Sequence, residues 1–251
     1  MREDLYKAMR DHQNDFWWYV VRCEILCGYI KKLPLKNNAK VLEIGCGTGP
    51  NIAMLKNLFS DVSACEYDEF SRNYAHEKFG IDVKHAELPH DLPYQENQFD
   101  LILLCDVLEH IEDDKKTLEV IKSKLKIGGY LLITVPAHPF LWSYADIANH
   151  HFRRYTRVSL QKVVDAASFA NIYERYFMQV LFLPAVLVRL IKNQIYKKSI
   201  KEAGGDEAAF DSYSKSAWVN WIFKKIFRIE KYIVVKNFPG LSILKIVQRK
   251  I

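Results

Sequence analysis

Strand-like and helix-like spacings of apolar residues alternate along most of this chain. Val41, Leu42 and Ile44 flank a single acid, Glu43, and read as a short buried strand. Residues 52–59 follow with helical spacing, 62–66 predict a second strand, 74–79 a second helix and 81–85 a third strand. Residues 99–105 form a near-continuous apolar run, as in a strand covered on both faces. A helix over 113–125 is stopped by Gly128 and Gly129, and a fifth strand over 130–135 ends at Pro136. After a helix at 158–167, residues 172–177 fit a sixth strand and 241–248 a seventh. Strands alternating with helices predict an α/β fold with a doubly wound, largely parallel sheet. Such sheets bind ligands beyond the carboxyl ends of their strands, where the strand order reverses. Gly45, Glu66, the 85–88 segment and Cys105 with Asp106 all fall at those ends.

Two segments lie outside this alternation. Residues 5–30 predict one or two helices rich in aromatics, with Phe16, Trp17, Trp18 and Tyr19 in succession. Neighbours on a helix point about 100° apart, so Trp17 and Trp18 cannot both face one core. One of them should face a groove or a partner, which suits a lid. About sixty residues separate the sixth strand from the seventh, far more than a hairpin loop needs. Within them Trp218, Trp221, Ile222, Phe223 and Ile226 make an apolar stripe beside Lys224, Lys225 and Arg228. The pattern suits a helix lying in a membrane interface, or equally a cap packed on the domain. The expected organisation is an N-terminal helical lid (1–36), a core (37–180 with 239–251) and a basic amphipathic insertion (181–238).

Composition narrows the classes. At 251 residues, 49% hydrophobic and 26% charged, the chain has the make-up of an ordinary globular protein with a sizeable core. Five cysteines without paired spacing point to reduced thiols and a cytoplasmic setting. The start of the chain has no apolar leader core, and no apolar run is long enough to span a bilayer. The net charge of +6 is unevenly spread: residues 176–251 hold 14 Lys/Arg against 5 Asp/Glu, and the rest 22 against 25. The basic part therefore asks for an anionic partner. An anionic membrane surface is the expected one; no nucleic-acid recognition motif is present.

The richest stretch is the junction of the first strand and helix, where Gly45, Gly47 and Gly49 follow the strand. Glycines there let backbone approach a ligand at a helix N-terminus. A dinucleotide fingerprint would need a third glycine at position 50, which is Pro, and a P-loop would need Gly-Lys-Ser/Thr. The loop resembles that of class I S-adenosylmethionine-dependent methyltransferases, acid-x-Gly-x-Gly-x-Gly, with Glu43, Gly45, Gly47 and Gly49 in register. Asp106 to Ile111 resembles the Leu-Glu-His-Ile motif of one large subgroup, and 85–100 resembles the segment that precedes its fourth strand. The resemblance implies S-adenosylmethionine as cofactor, held by Glu43, Gly45, Cys46, Gly47 and Gly49. It implies Glu66, with Tyr67 beside it, on the ribose diol, where a carboxylate accepts two hydrogen bonds. Ala86, Glu87 and Leu88 would meet the adenine, and Cys105, Asp106 and His110 the methionine end. It further implies a Rossmann-like sheet of seven strands, mostly parallel with an antiparallel last strand.

Beyond the fifth strand, His138, Trp142, Asp146, His151, Arg153, Arg154 and Tyr155 resemble a Pro-Ala-His, Leu-Trp-Ser, His-x-Arg-Arg-Tyr block of some of these enzymes. His138 or His151 is the candidate general base, with Asp146 orienting one of them. Arg153 and Arg154 offer planar forks to an anion, Tyr155 a cap, and Trp17, Trp18, Arg22 and Trp142 the remaining acceptor wall. Thr156 can also be read as the N-cap of the next helix. No pair among His138, Asp146, His150 and His151 has the spacing of zinc ligands, so no metal is expected. The expected function is O-methylation of a lipophilic or lipid-linked anionic acceptor by an enzyme peripheral to the inner membrane face. A soluble small-molecule methyltransferase and a non-catalytic cofactor-binding module are the alternatives.

Overall fold

A computed structural model of the chain describes residues 10–11, 15–187, 217–230 and 238–250. Strands β1 (Lys40–Ile44), β2 (Asp61–Glu66), β3 (Val83–His85), β4 (Phe99–Cys105), β5 (Leu125–Pro136), β6 (Phe169–Phe177) and β7 (Ser242–Arg249) form one sheet. Their order is β3-β2-β1-β4-β5-β7-β6. Pairs from β3 through β5 are parallel, and β7 runs antiparallel between β5 and β6. This is the mostly parallel, seven-stranded sheet with an antiparallel last strand that the apolar pattern and the resemblance led to expect.

Alternation along each strand feeds two cores. Leu42, Ile44, Ile102, Leu104, Leu131 and Ile133 pack with Leu118 and Ile121 of α4 (Asp114–Lys124) and Leu160 and Val164 of α6 (Arg157–Ala166). On the other face Val41, Leu101, Leu103, Leu132, Leu244 and Ile246 meet Val21, Ile25, Leu26 and Ile30 of α1 (Trp17–Ile30). Each such fully buried aliphatic side chain is worth roughly 1.5–3 kcal/mol. Helices α2 (Ile52–Lys56) and α3 (Glu69–Phe79) link the first three strands, and the short α5 (Tyr144–Ala148) follows β5. Side-chain caps fix several starts: Asp68 accepts from Ser71 N, Asp113 from Lys116 N, and Thr156 from Ser159 N. Thr156 is thus the N-cap of α6.

The structure departs from the sequence reading at β5, which starts five residues before Tyr130. Leu125 already pairs with Phe99, and the ladder resumes at Leu101 with Tyr130 after an irregularity. A Cβ on Gly129 would sit 2.9 Å from Lys126 O and 3.0 Å from Phe99 O, so the bulge needs a glycine there. Gly128 and Gly129 therefore shape a strand rather than stop a helix. Of the 5–16 stretch, most lies outside the described residues, as does most of the 181–238 insertion.

Helix α7 (Ala217–Glu230) of that insertion packs on α1. Its Phe227 is fully buried and stacks on Trp17 at 4.5 Å and 11°. Arg228 pairs with Glu24, and Asn220 accepts from Trp17 N. Trp218, Trp221 and Ile222 face outward. The stripe read from the sequence is thus divided, with Phe223 turned toward Trp17 and the two tryptophans toward solvent. Among the described residues, no helix is long and apolar enough to cross a membrane.

Candidate active site

The order of strands reverses between β1 and β4, and a cavity of about 990 Å³ opens beyond their carboxyl ends. Its floor is the glycine loop. Gly45 has φ 67° and Gly47 φ 53°, both left-handed. A Cβ on Gly45 would lie 2.4 Å from Val107 Cγ2, so this is a position of close approach as well as of unusual backbone. Gly49, with φ 85°, does not line the cavity; it packs where a Cβ would meet Phe79.

Two buried carboxylates frame the loop. Glu66, at the end of β2, accepts from Gly47 N (2.8 Å), Tyr67 N (2.9 Å) and Asp68 N (3.0 Å). Glu43 accepts from Asn51 Nδ2 at 2.7 Å. Burial pushes the Glu43 carboxyl up to about 7, against the pull of Asn51 and Arg22. Glu43 Oε2 and Asn51 Oδ1 are both buried acceptors with no partner. Two orphan acceptors side by side ask for a ligand with several donors, such as an ammonium group.

Ala86, Glu87 and Leu88 line the wall beyond β3, and Tyr67 is exposed at its edge. At the end of β4, Cys105 and Asp106 line the opposite wall, and Asp106 takes a left-handed φ of 57°. Asp106 is held there by three groups: its N–H donates to Thr134 O, Thr134 Oγ1 donates to Oδ1, and Arg22 Nη2 lies 2.6 Å from Oδ2. Burial keeps the Cys46, Cys65 and Cys105 thiols protonated, so none of them is a nucleophile here.

The acceptor block divides sharply. His151 and Arg154 face the cavity, and the fully buried Asp146 joins them. His151 Nδ1 lies 2.9 Å from Asp146 Oδ1, which also accepts from Arg154 Nε at 2.7 Å. A carboxylate only accepts, so Nδ1 carries the proton and Nε2 is the basic nitrogen. His138 lies outside the cavity, stacked on Tyr176 at 4.9 Å, and burial lowers its pKa. Trp142 and Trp17 also lie outside, and Trp18 lines the cavity. Arg153 pairs with Asp114 at 2.7 Å and donates to Glu112 O, and Tyr155 donates to Asp114 Oδ2 from the core. In extended chain, successive side chains alternate, so of Arg153 and Arg154 only one could face the cavity.

Among the polar cavity residues that the sequence does not single out as site residues are Asn51, Asn149 and Glu109. Asn51 follows the glycine loop directly, which was a usable signal. Glu109 lay within the Leu-Glu-His-Ile motif, where His110 drew the assignment. Glu109 is fully buried, and burial next to Asp106 pushes its carboxyl well up. His110 is held down to about 3 by burial and by His151, so its ring is neutral.

Residues 17–174 match the family model described as a methyltransferase domain. An uncharacterised methyltransferase of Staphylococcus carnosus is 30% identical over 106 residues, 41% of this chain and 50% of that protein. The demethylmenaquinone methyltransferase of Oceanobacillus iheyensis is 24% identical over 197 residues, 74% of this chain and 77% of that one. The chain spans about half the length of the first curated relatives it matches. Among solved structures, phosphoethanolamine N-methyltransferase 2 of Haemonchus contortus, complexed with phosphomonomethylethanolamine and S-adenosylhomocysteine, superposes with a TM-score of 0.61. That match is 17% identical and covers 91% of this chain and 53% of the other.

Proposed function

The chain belongs to the methyltransferase-domain family, an S-adenosylmethionine-dependent transferase, and from that premise we propose that it methylates an oxygen of a lipophilic, anionic acceptor at a membrane surface. The observation that carries the acceptor chemistry is the Asp146–His151 pair, which opens into the same cavity as the glycine loop. Bound S-adenosylmethionine supplies an electrophilic sulfonium methyl group. The residues present fit it: Glu43 Oε2 and Asn51 Oδ1 lack the donors that its ammonium carries, and the left-handed loop leaves room for its close approach. Glu66, Ala86, Glu87 and Leu88 line the same cavity; Glu66 would share its acceptor oxygens with the ribose diol, and Ala86 to Leu88 would meet the adenine.

His151 takes the acceptor hydroxyl proton on Nε2, while Asp146 stabilises the imidazolium that results. The proton passes from the acceptor oxygen to His151 Nε2, and the bound cofactor would supply the methyl group to that oxygen and depart as its neutral thioether. Much of the rate in such an in-line transfer comes from position and exclusion of water. Trp18, Tyr19 and Phe152 line the cavity and would supply that cover.

A membrane-borne acceptor is supported by α7. Trp218 and Trp221 are 68% and 61% exposed, and Lys225 Nζ sits 5.8 Å from the Trp221 ring. Exposed tryptophans beside lysines suit the headgroup region of an anionic bilayer. Flotation with phosphatidylglycerol vesicles tests this. Co-flotation at low salt that is lost at high salt, together with methyl incorporation into a lipid extract, is the expected result. Protein that stays behind at every salt concentration while methylating a water-soluble acceptor sinks the membrane reading.

A further inference from the structure

Glu109, His110 and His151 each point a ligand atom at a common space, all within 4.8 Å of one another. Glu109 and His110 come from the 3-10 turn after β4 and His151 from the loop after α5. All three line the cavity. Glu109 is 1% exposed and its Oε2 is buried without a partner. Arg22 and Arg154 favour its charge only from a distance, since each pairs directly with another carboxylate, Asp106 and Asp146. A buried, uncompensated carboxylate is costly unless a cation meets it or a proton neutralises it.

The two imidazoles are prepared as ligands. Their rings meet edge to face at 4.6 Å, which two imidazolium ions would resist. Asp146 accepts a hydrogen bond from Nδ1–H of His151 and so leaves Nε2 as the ligating atom. A histidine whose second nitrogen donates to a carboxylate is the usual outer support of a metal-bound imidazole. Arg154 and Ser143 fix that carboxylate in turn.

We propose that Glu109, His110 and His151 bind a divalent transition-metal ion of the zinc class, with an open coordination position toward the acceptor. Two imidazoles and one carboxylate match catalytic zinc-type sites, whereas magnesium and calcium take oxygen ligands. Zinc–ligand bonds near 2.0–2.1 Å put tetrahedral ligand atoms about 3.3 Å apart, so no pair has to close by more than about 1.5 Å when the ion enters. The spacing in sequence hides the site, since His151 reaches it from 41 residues away. The inference rests on the acceptor reading only for its use: a hydroxyl at the open position is acidified and gives its proton to solvent water. With the ion in place His151 acts as ligand, and without it as base.

The test uses the whole chain, stripped with a chelator and titrated with Co²⁺ while visible absorption is followed. One equivalent should give a saturable d–d band that added Zn²⁺ abolishes. Glu109→Gln, which keeps the side-chain volume, and His151→Gln should each remove the band. Asp146→Asn should keep the ligands but weaken affinity by about 10- to 100-fold. No band in the native chain overturns the proposal, and so does a band unchanged in both ligand variants, which would place the ion elsewhere. Calorimetry with S-adenosylhomocysteine on the same preparations separates the two readings. Cofactor binding without a cobalt band removes the metal alone, and a cobalt band without cofactor binding removes the transferase reading of the cavity and leaves the metal.

Discussion

Arg22 of α1 reaches across the sheet edge to place Nη2 2.6 Å from Asp106 Oδ2, tying the N-terminal helix to the carboxyl end of β4. Burial penalises the guanidinium charge, but Asp106 and its neighbours more than offset this and raise the Arg22 pKa. Asp106 in turn holds a left-handed backbone that nothing intrinsic to aspartate favours strongly. Arg22→Met leaves that carboxylate partly buried and unpaired. It should destabilise the fold by about 3 kcal/mol and loosen S-adenosylhomocysteine binding. A double-mutant cycle with Asp106→Asn in urea titrations should give a coupling energy of at least about 1 kcal/mol. Additive effects would mean that the pair does not anchor the helix.

Glu43 predicts an inverted pH dependence. Its folded pKa is raised from 4.5 to about 7. A raised folded pKa means that the native state holds the proton more tightly than the unfolded chain. Its contribution is then complete below about 4.5 and lost as pH rises through about 7. The difference is of order 3 kcal/mol. In Glu43→Gln the fall in stability between pH 5 and 7 should flatten, as read by denaturant midpoints against pH. If an ammonium of the cofactor meets Oε2, binding near pH 6 also releases part of a proton. Calorimetry in buffers of different ionisation enthalpy should detect that release in the native chain and not in the variant.

The two candidate bases separate by position. His151 is in the cavity with Nδ1 on Asp146; His138 is outside it among aromatic rings. His151→Gln should lower kcat by roughly 10²- to 10⁴-fold in the metal-free enzyme, with S-adenosylhomocysteine affinity changed little. Asp146→Asn should follow it part of the way. His138→Gln should leave kcat within a few-fold and show its cost in the thermal midpoint instead. Equal losses for His138→Gln and His151→Gln in a methyl-transfer assay would contradict this division.

The contrast between those histidines marks how far the sequence could be read. The strands were legible because a parallel sheet covered on both faces demands near-continuous apolar runs, as at Leu101 to Leu104. The glycine loop was legible because left-handed backbone at Gly45 and Gly47 leaves a residue-type imprint. The acceptor side left none. Whether Arg153 or Arg154 faces the cavity depends on the phase of an extended segment, and that phase is set by Tyr155 pairing with Ala137. His138 turns away because its own φ of 61° and the 3-10 turn of Pro139–Leu141 redirect the chain. The aromatic run places Trp17 in the acceptor wall, but its ring is taken by Phe227, 210 residues later. Contacts of that separation have no local pattern to betray them.

That same contact gives a final prediction, which divides the two faces of α7. Phe227 is fully buried and stacked on Trp17, so Phe227→Ala removes a ring from a packed interface. The expected cost is about 3–5 kcal/mol. Trp218 and Trp221 are exposed, and serine at both should move folding stability by no more than about 0.5 kcal/mol per site. If the outer face serves a bilayer, the order inverts in flotation: the double serine variant should lose vesicle binding while keeping its thermal midpoint and its affinity for S-adenosylhomocysteine. Phe227→Ala should lose the midpoint first, and should bind vesicles for as long as the helix stays docked. A double serine variant that melts as early as Phe227→Ala would show that the tryptophans are packed in solution, and that α7 is a cap with no second role.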